Sequence, residues 1–259
     1  VYEEANQQWC KVIETGESIL DNSLQFIASH ISLSNLPHPN AKPIVIFNSL
    51  NWTITEVVSI DIASENWIIY DVNGNQIYSQ VTSENNLLFL AEEIPSIGYR
   101  LFWLCPSEKI EQKLTTPSEF ILENDYIKVR VNPETGDLDS IFDKLQQKEI
   151  LEGAGNQLQA FQDKGQYWDA WNIDPNYQDY LLPASQLKSI EYLDYGLIQS
   201  RIRVVRIIGN SDFIQDYIVQ IYSPILKIKT TVNWKESHVL VKATFPLNLE
   251  SNVVTSEIS

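Results

Sequence analysis

The chain has 259 residues, of which 44% are hydrophobic and 20% charged, so we expect one or two globular domains and no extended disorder. It carries 34 acidic against 18 basic residues, for a net charge of −16. A surface of that sign repels phosphate backbones and anionic lipids, so we expect no nucleic acid and no membrane as partner, whereas a neutral sugar is not penalised.

The cysteines and histidines form no recognisable site. Cys10 and Cys105 stand far apart and fit no metal or disulfide pattern, which favours a reducing, cytoplasmic setting. His30, His38 and His238 are dispersed, so we assign no metal ligand and no catalytic residue. No apolar run reaches the roughly 18 residues of a membrane span. The chain contains no methionine, and we expect it to be a piece of a longer protein or a processed form.

An amphipathic helix is predicted from residue 1 to about 31. Its apolar residues recur at steps of three and four: Tyr2, Ala5, Trp9, Val12, Ile13, Ile19, Leu20, Leu24, Ile27 and Ile31. Such a stripe has to be buried, so we interpret residues 1–34 as the terminal helix of a missing helical domain. Packing on the following β-region is the alternative. A proline-rich linker is predicted at 35–43.

A small antiparallel β-sandwich is predicted at 44–106. Its short β-runs lie at 44–47, 53–62, 66–72, 76–81, 87–90 and 99–104, and Asn73-Gly74 is a hairpin signal. A polar linker follows at 107–117. We place the start of a larger, truncated β-sandwich at 118–259, since turns and alternating strands resume there.

Within 118–259, Asn132–Gly136 is a predicted turn, followed by an antiparallel return at 137–143. Long strands are predicted at 187–194, 197–208, 213–222, 225–234 and 238–245. Residues 234–238 are interpreted as the hairpin between the last two. Arg201 and Arg203 share one strand face, which we expect to be solvated and paired with acidic neighbours.

Residues 161–180, called the aromatic loop below, fit neither the helical nor the strand period. Flat rings cover the apolar C–H patches of a sugar, and carboxylates accept protons from its hydroxyls. The residues expected near a sugar are Tyr167, Trp168, Asp169, Trp171 and Asp174. The alternative is a structural plug that closes one end of the sandwich.

Four stretches support a resemblance to a known family. They are 1–7 (VYEEANQ), 46–52 (IFNSLNW), 122–131 with 135–138 (LENDYIKVRV and TGDL), and 159–174 (QAFQDKGQYWDAWNID), the most specific. On these residues the chain resembles glycoside hydrolase family 38, the α-mannosidases, and within it the bacterial and cytosolic branch. The resemblance implies a C-terminal sandwich similar to galactose-mutarotase folds.

The resemblance implies a retaining, zinc-dependent enzyme that hydrolyses terminal α-mannosyl residues of oligosaccharides. The zinc ligands and the nucleophilic aspartate of that family belong to an N-terminal domain that this chain lacks. We therefore expect an inactive, non-catalytic portion that frames the sugar cleft. Its expected partners are a mannose-containing oligosaccharide and the missing catalytic domain, with a homo-oligomer as a further arrangement. The alternatives are a free-standing carbohydrate-binding sandwich and a purely structural domain.

Overall fold

The computed structural model describes residues 2–33, 36–62, 66–107, 114–165, 167–168, 171–253 and 255. The described chain is mainly β, with one N-terminal helix followed by several antiparallel sheets, so the predicted fold class is confirmed. The elements are α1 (Tyr2–Ser29), β1 (Lys42–Asn48), β2 (Ile54–Asp61), β3 (Trp67–Asp71), β4 (Gln76–Ile77), β5 (Ser79–Val81), β6 (Asn86–Ile94), β7 (Gly98–Pro106), β8 (Ile121–Glu123), β9 (Ile127–Val131), β10 (Leu138–Asp143), β11 (Lys148–Glu149), β12 (Gln157–Gln162), β13 (Gln186–Tyr195), β14 (Gln199–Ile208), β15 (Ser211–Gln220), β16 (Lys227–Asn233) and β17 (Val239–Thr244).

Helix α1 confirms the predicted N-terminal helix, with Glu3 and Glu4 in its first turn, where they complement the positive end of the helix dipole. None of the residues described in α1 is buried, and Trp9 is 63% exposed. The apolar stripe is therefore open to solvent along the whole described helix. No helix of the described residues is long and apolar enough to cross a membrane.

The chain divides into two compact units, and the first comprises residues 1–56, 65–77 and 91–108. Its sheet has the strand order β1-β7-β3-β4. Asn48 is buried at the end of β1, where its side chain donates to the carbonyls of Trp52, Ile94 and Pro95 and accepts from the backbone of Leu50. One side chain thus ties the turn after β1 to the chain between β6 and β7.

The second unit comprises residues 57–64, 78–90 and 109–259. Its sheet β11-β10-β9-β8 shares a hydrophobic core with the sheet β13-β14-β15-β16. The buried members of this core come from both sheets and from residue 151: Leu122, Ile127, Val129, Val131, Leu138, Leu151, Ile202, Val204, Tyr217 and Val219. Two sheets that bury their facing sides in one core form a β-sandwich. The domain boundaries inferred from the sequence stay a prediction.

Turn chemistry fixes the hairpin between β9 and β10 as the sequence predicts. Gly136 has φ +76° in the turn between β9 and β10, in the left-handed region that glycine enters without steric cost. The Asn132 side chain accepts hydrogen bonds from the backbone N–H groups of Glu134 and Thr135. A Cβ on Gly136 would lie 2.3 Å from a methyl carbon of Val204, so the close approach of the two sheets also requires glycine here.

The predicted hairpin at 234–238 is wrong. β16 pairs with β15 in the four-stranded sheet, whereas β17 pairs with β12 in a separate two-stranded sheet. Residues 234–238 therefore carry the chain from one sheet to another. A short turn between two β-runs does not by itself specify which strand each run pairs with.

The solvated face predicted for Arg201 is also wrong, although its acidic partners are confirmed. Arg201 is buried, with its Nε 2.8 Å from Asp194 Oδ2 and its Nη1 3.0 Å from Glu84 Oε1. Residues 78–90 cover this face of β14, and the backbone N–H of Ser83 donates to Asp194 at 2.7 Å. Arg203 beside it is half-buried and pairs with both carboxylate oxygens of Asp216.

Candidate functional site

The aromatic loop begins in strand β12, which was not predicted from the sequence. Phe161 and Gln162, the first two residues of the loop as predicted, lie in this strand, and Phe161 is buried. β12 pairs with β17 from Gln157 opposite Thr244 to Gln162 opposite Val239. The loop therefore starts from a fixed sheet position.

Three hydrogen bonds close the base of the loop. The backbone N–H of Asp163 donates to the carbonyl of His238 at 2.8 Å, and the N–H of Gln162 donates to the carbonyl of Tyr180 at 2.9 Å. The side chain of Asp163 then accepts from the backbone N–H of Asp174 at 2.8 Å. The first bond joins the outgoing stem of the loop to the segment before β17, and the other two join the outgoing stem to the returning stem.

The tip of the loop turns at Trp168, which has φ +56°. Its carbonyl accepts from the backbone N–H groups of Trp171 at 2.7 Å and Asn172 at 2.9 Å. A bulky residue with positive φ is a genuine outlier, since its Cβ crowds the following carbonyl in the left-handed conformation. The tight turn is therefore made with a residue that strains the backbone.

The three rings named as candidates project away from the protein. Tyr167 is 77% exposed, Trp168 is 76% exposed and Trp171 is 87% exposed. None of them covers a hydrophobic core of the described residues. Asp169, the remaining tip candidate, lies outside the described residues.

Tyr167 and Asp174 line one pocket of about 410 Å³ between the two stems of the loop. Its other lining residues are Gly165, Asn172, Ile173, Pro175 and Asn176. Asp174 is half-buried, and its Oδ1 accepts from the backbone N–H of Asn176 at 2.9 Å. No described residue donates a hydrogen bond to its Oδ2, which is available to a ligand hydroxyl. Trp168 and Trp171 belong to the same loop but do not line this pocket.

Tyr177 anchors the returning stem, in a short 3-10 turn at Tyr177–Asp179. Its hydroxyl lies 2.5 Å from Lys242 Nζ on β17, and its ring meets the edge of Phe161 at 5.1 Å between centroids. The hydrogen bond from Lys242, with a second from Gln178, lowers the pKa of Tyr177 below its usual value. The sequence gives no signal for the Lys242 contact, because the partners are far apart along the chain and Lys242 belongs to an ordinary strand.

The described residues contain no group of three or more His, Cys, Asp or Glu side chains that could hold a metal ion. The family resemblance assigns the zinc ligands to a domain outside this chain, so we derive no chemical step through zinc from the described residues.

The family model described as Glycosyl hydrolases family 38 C-terminal domain matches residues 122–259, more than half of the chain. This chain belongs to glycosyl hydrolase family 38. The resemblance drawn from the four sequence stretches is thereby confirmed. The region matched to family 38 contains the whole aromatic loop.

Named relatives of this family 38 chain are α-mannosidases. Alpha-mannosidase 2C1 of Mus musculus is 29% identical over 231 residues, which are 85% of this chain and 20% of that protein. Its Homo sapiens counterpart is 28% identical with the same coverage. Lysosomal alpha-mannosidase of Dictyostelium discoideum is 31% identical over 129 residues, which are 39% of this chain and 13% of that protein. The chain thus spans about a fifth of the length of the first two relatives.

Proposed function

We propose that this chain is the non-catalytic middle and C-terminal portion of a zinc-dependent, retaining α-mannosidase, and that its aromatic loop frames the site for a mannose-containing oligosaccharide. The observation that carries this proposal is the state of Trp168, which is exposed and held at positive φ. Family 38 membership and the α-mannosidase names of the relatives supply the substrate class.

The energetics of Trp168 argue against a purely structural loop. The left-handed backbone conformation of a non-glycine residue costs about 1–2 kcal/mol. An exposed ring buries little apolar surface, so burial offsets little of that cost. Strained residues persist where the surroundings hold them, and they cluster at ligand-binding sites. The exposed rings of Tyr167 and Trp171 fit the same explanation. Together the three rings offer apolar faces that suit the C–H faces of a pyranose.

The pocket beside the rings supplies the polar part of such a site. Its volume of about 410 Å³ falls within the usual range for ligand pockets. Asp174 offers a carboxylate oxygen, and the amide of Asn172 offers both donor and acceptor groups. These groups bind hydroxyls of a neutral sugar without needing a charged ligand, in keeping with the net charge of −16.

The chemistry itself is assigned to the rest of the parent enzyme. The open apolar stripe of α1, which includes Trp9 and Ile13, suits packing against that part. The zinc ion and the nucleophilic carboxylate would be held there, so this chain alone is expected to be inactive. Self-association through α1 is the competing use of the stripe, and a measurement of solution mass distinguishes it. The cytoplasmic location expected from the cysteines stays a prediction.

A carbohydrate-binding module is the second candidate function. It is favoured by one observation: the described residues that line the pocket all belong to the aromatic loop itself. A pocket formed by one loop of this chain can bind sugar without the catalytic domain. The two candidates differ in whether the isolated chain binds a mannoside or requires the rest of the enzyme.

The test uses Trp168→Gly in the isolated chain and in the full-length α-mannosidase. Glycine accepts φ +56° without strain, so we expect the melting temperature to be unchanged or higher. We expect mannotriose binding by calorimetry, or turnover of an aryl α-mannoside, to fall about fivefold, because a stacked ring contributes on the order of 1 kcal/mol. Trp52→Gly, at a tryptophan that is 58% exposed and lies outside both α1 and the aromatic loop, is the control for loss of a ring.

The outcomes separate the candidates. Binding by the isolated chain, lost in Trp168→Gly, supports the module. No binding by the chain together with reduced turnover of the full-length variant supports the cleft-framing portion. A free energy of unfolding lowered by Trp171→Ala by about 3–5 kcal/mol, the cost of a core truncation, would instead support the structural loop.

A further inference from the structure

We propose that Asp163 is a positioning residue, which holds the pocket of the aromatic loop in its ligand-binding shape by bonding to the backbone of Asp174. This inference rests on the proposed function only in taking a sugar as the ligand. The contact itself is independent of that assignment.

Asp163 links three parts of the structure: strand β12, the segment before β17 and the returning stem of the loop. It follows β12 directly, and its backbone N–H donates to the carbonyl of His238 in the segment before β17. Its Oδ1 receives the N–H of Asp174 at 2.8 Å, across eleven residues of loop. Asp163 is half-buried, so this hydrogen bond is partly shielded from water. The returning stem is therefore fixed to the strand pair β12–β17 through one carboxylate.

The pocket lies directly between the two stems that this bond joins. Gly165 and Tyr167 line it from the outgoing stem, and Asn172 to Asn176 line it from the returning stem. The carbonyl of Trp168 closes the stems at the tip, and Asp163 closes them at the base. Loss of the basal bond frees the stems to separate and removes the constraint on Asp174, whose Oδ2 faces no donor among the described residues.

The Tyr177–Lys242 contact anchors the loop on the same strand pair, beyond Asp174. It holds the returning stem after the pocket, whereas Asp163 holds the pocket residue itself. Removal of Asp163 is therefore expected to loosen residues 164–174 without releasing the 3-10 turn at Tyr177. This separation gives the proposal a local signature, which a general loss of stability would not produce.

The experiment compares Asp163→Ala, Asp163→Asn and the control Asp143→Ala in the 259-residue chain. Asp143 is also half-buried, and it accepts backbone N–H groups of Leu145 and Gln146 in a turn outside the aromatic loop. We measure amide hydrogen exchange at Asp174 and Tyr180 and the affinity for mannotriose. Where the chain alone does not bind, KM and kcat of the full-length α-mannosidase carrying the same variants replace the affinity.

In Asp163→Ala we expect exchange at Asp174 to quicken at least about tenfold, as a lost charge-assisted hydrogen bond predicts, while Tyr180 is unchanged. Affinity is expected to fall about tenfold, or KM to rise more than kcat falls. Asp163→Asn retains an acceptor oxygen, so its exchange rate at Asp174 and its affinity or KM should be close to those of the wild type. Asp143→Ala should change neither the exchange rate at Asp174 nor the affinity or KM.

Unchanged exchange at Asp174 in Asp163→Ala overturns the proposal. Faster exchange with unchanged affinity and unchanged KM overturns it as well, since the pocket would then not depend on the bond. If neither the wild-type chain nor the wild-type enzyme responds to a mannoside, the proposed function fails, and the exchange result alone decides whether Asp163 holds the loop.

Discussion

Arg206 is buried in the interior of the large sandwich, and replacing it with methionine should cost about 3–5 kcal/mol of unfolding free energy. Its side chain is 0% exposed and pairs with Asp137, which is itself 7% exposed. The guanidinium also donates to the side chain of Gln215, to the Tyr217 hydroxyl at 3.2 Å and to the carbonyl of Asn156 at 3.3 Å. Methionine fills similar volume but supplies none of these donors.

The magnitude follows from what is left behind. Removing Arg206 leaves Asp137 as a buried carboxylate without its counter-charge, which is the costly way to break a buried ion pair. Burial raises the pKa of Asp137 above its usual value, and the nearby charge of Arg206 opposes that rise. Without Arg206 the pKa rises further. A carboxyl with a raised folded pKa gains stability as the pH falls through that pKa, so acid should reduce the penalty of Arg206→Met.

The assay is urea unfolding of wild type, Arg206→Met, Asp137→Asn and the double variant, at about pH 7 and about pH 5. We expect the double variant to cost less than the sum of the single variants, with a coupling of roughly 1–3 kcal/mol. A cost below about 1 kcal/mol for Arg206→Met would refute the reasoning. So would an equal cost at both pH values, because the buried charge on Asp137 would then not be its source.

Two further predictions concern side chains that hold backbone groups. Asn48→Ala should lower the unfolding free energy by about 2 kcal/mol or more, since its buried amide serves four backbone groups, and a urea midpoint equal to wild type would contradict this. Burial raises the pKa of Glu149, but the hydrogen bonds from Ser140 and from backbone N–H groups outweigh it and leave the pKa below its ordinary value. Its stabilising contribution is present above the unfolded pKa of about 4.3 and is lost as the pH falls through the folded pKa. Glu149→Gln should therefore be less stable at neutral pH and less sensitive to acid, and a thermal melt series with an unchanged acid slope would argue otherwise.

Local chemistry explains which parts of the fold could be predicted. The hairpin turn at Asn73-Gly74 appears as expected, with Gly74 at φ +84° and the Asp71 side chain accepting from the backbone N–H groups of Asn73 and Asn75. The turn at Asn132–Gly136 forms in the same manner. In both cases the requirement for positive φ and for a side-chain acceptor is met within five residues, so the sequence alone carries the information.

The errors all concern contacts between distant parts of the chain. Arg201 looks like a surface residue because its burial depends on residues 78–90, more than a hundred positions away. The segment at 234–238 was interpreted as a hairpin because it is a short turn between two β-runs. The sequence of these runs does not specify that β16 pairs with β15 and β17 with β12. The residues next to Arg206 in the sequence do not predict its full burial, because its partner Asp137 is 69 residues away along the chain.

The candidate site shows the same division. Its rings and its carboxylate at Asp174 could be named from the sequence because they are crowded into one short stretch. The residues that hold them could not. Asp163 bonds to Asp174 across eleven positions, and Lys242 reaches Tyr177 from another strand. The local composition of a loop identifies the side chains that it exposes. The residues that hold the loop in place depend on tertiary contacts, which the local sequence does not predict.

The stretches that resemble family 38 have two different physical causes. Asn48 in the second stretch and Asn124 in the third each satisfy four backbone groups with one amide side chain. These residues are explained by folding alone. Trp168 in the fourth stretch is the opposite case, since it is exposed, strains its own backbone and supports no core. Stability accounts for the asparagines and not for Trp168, so the proposal of a sugar site rests on the fourth stretch.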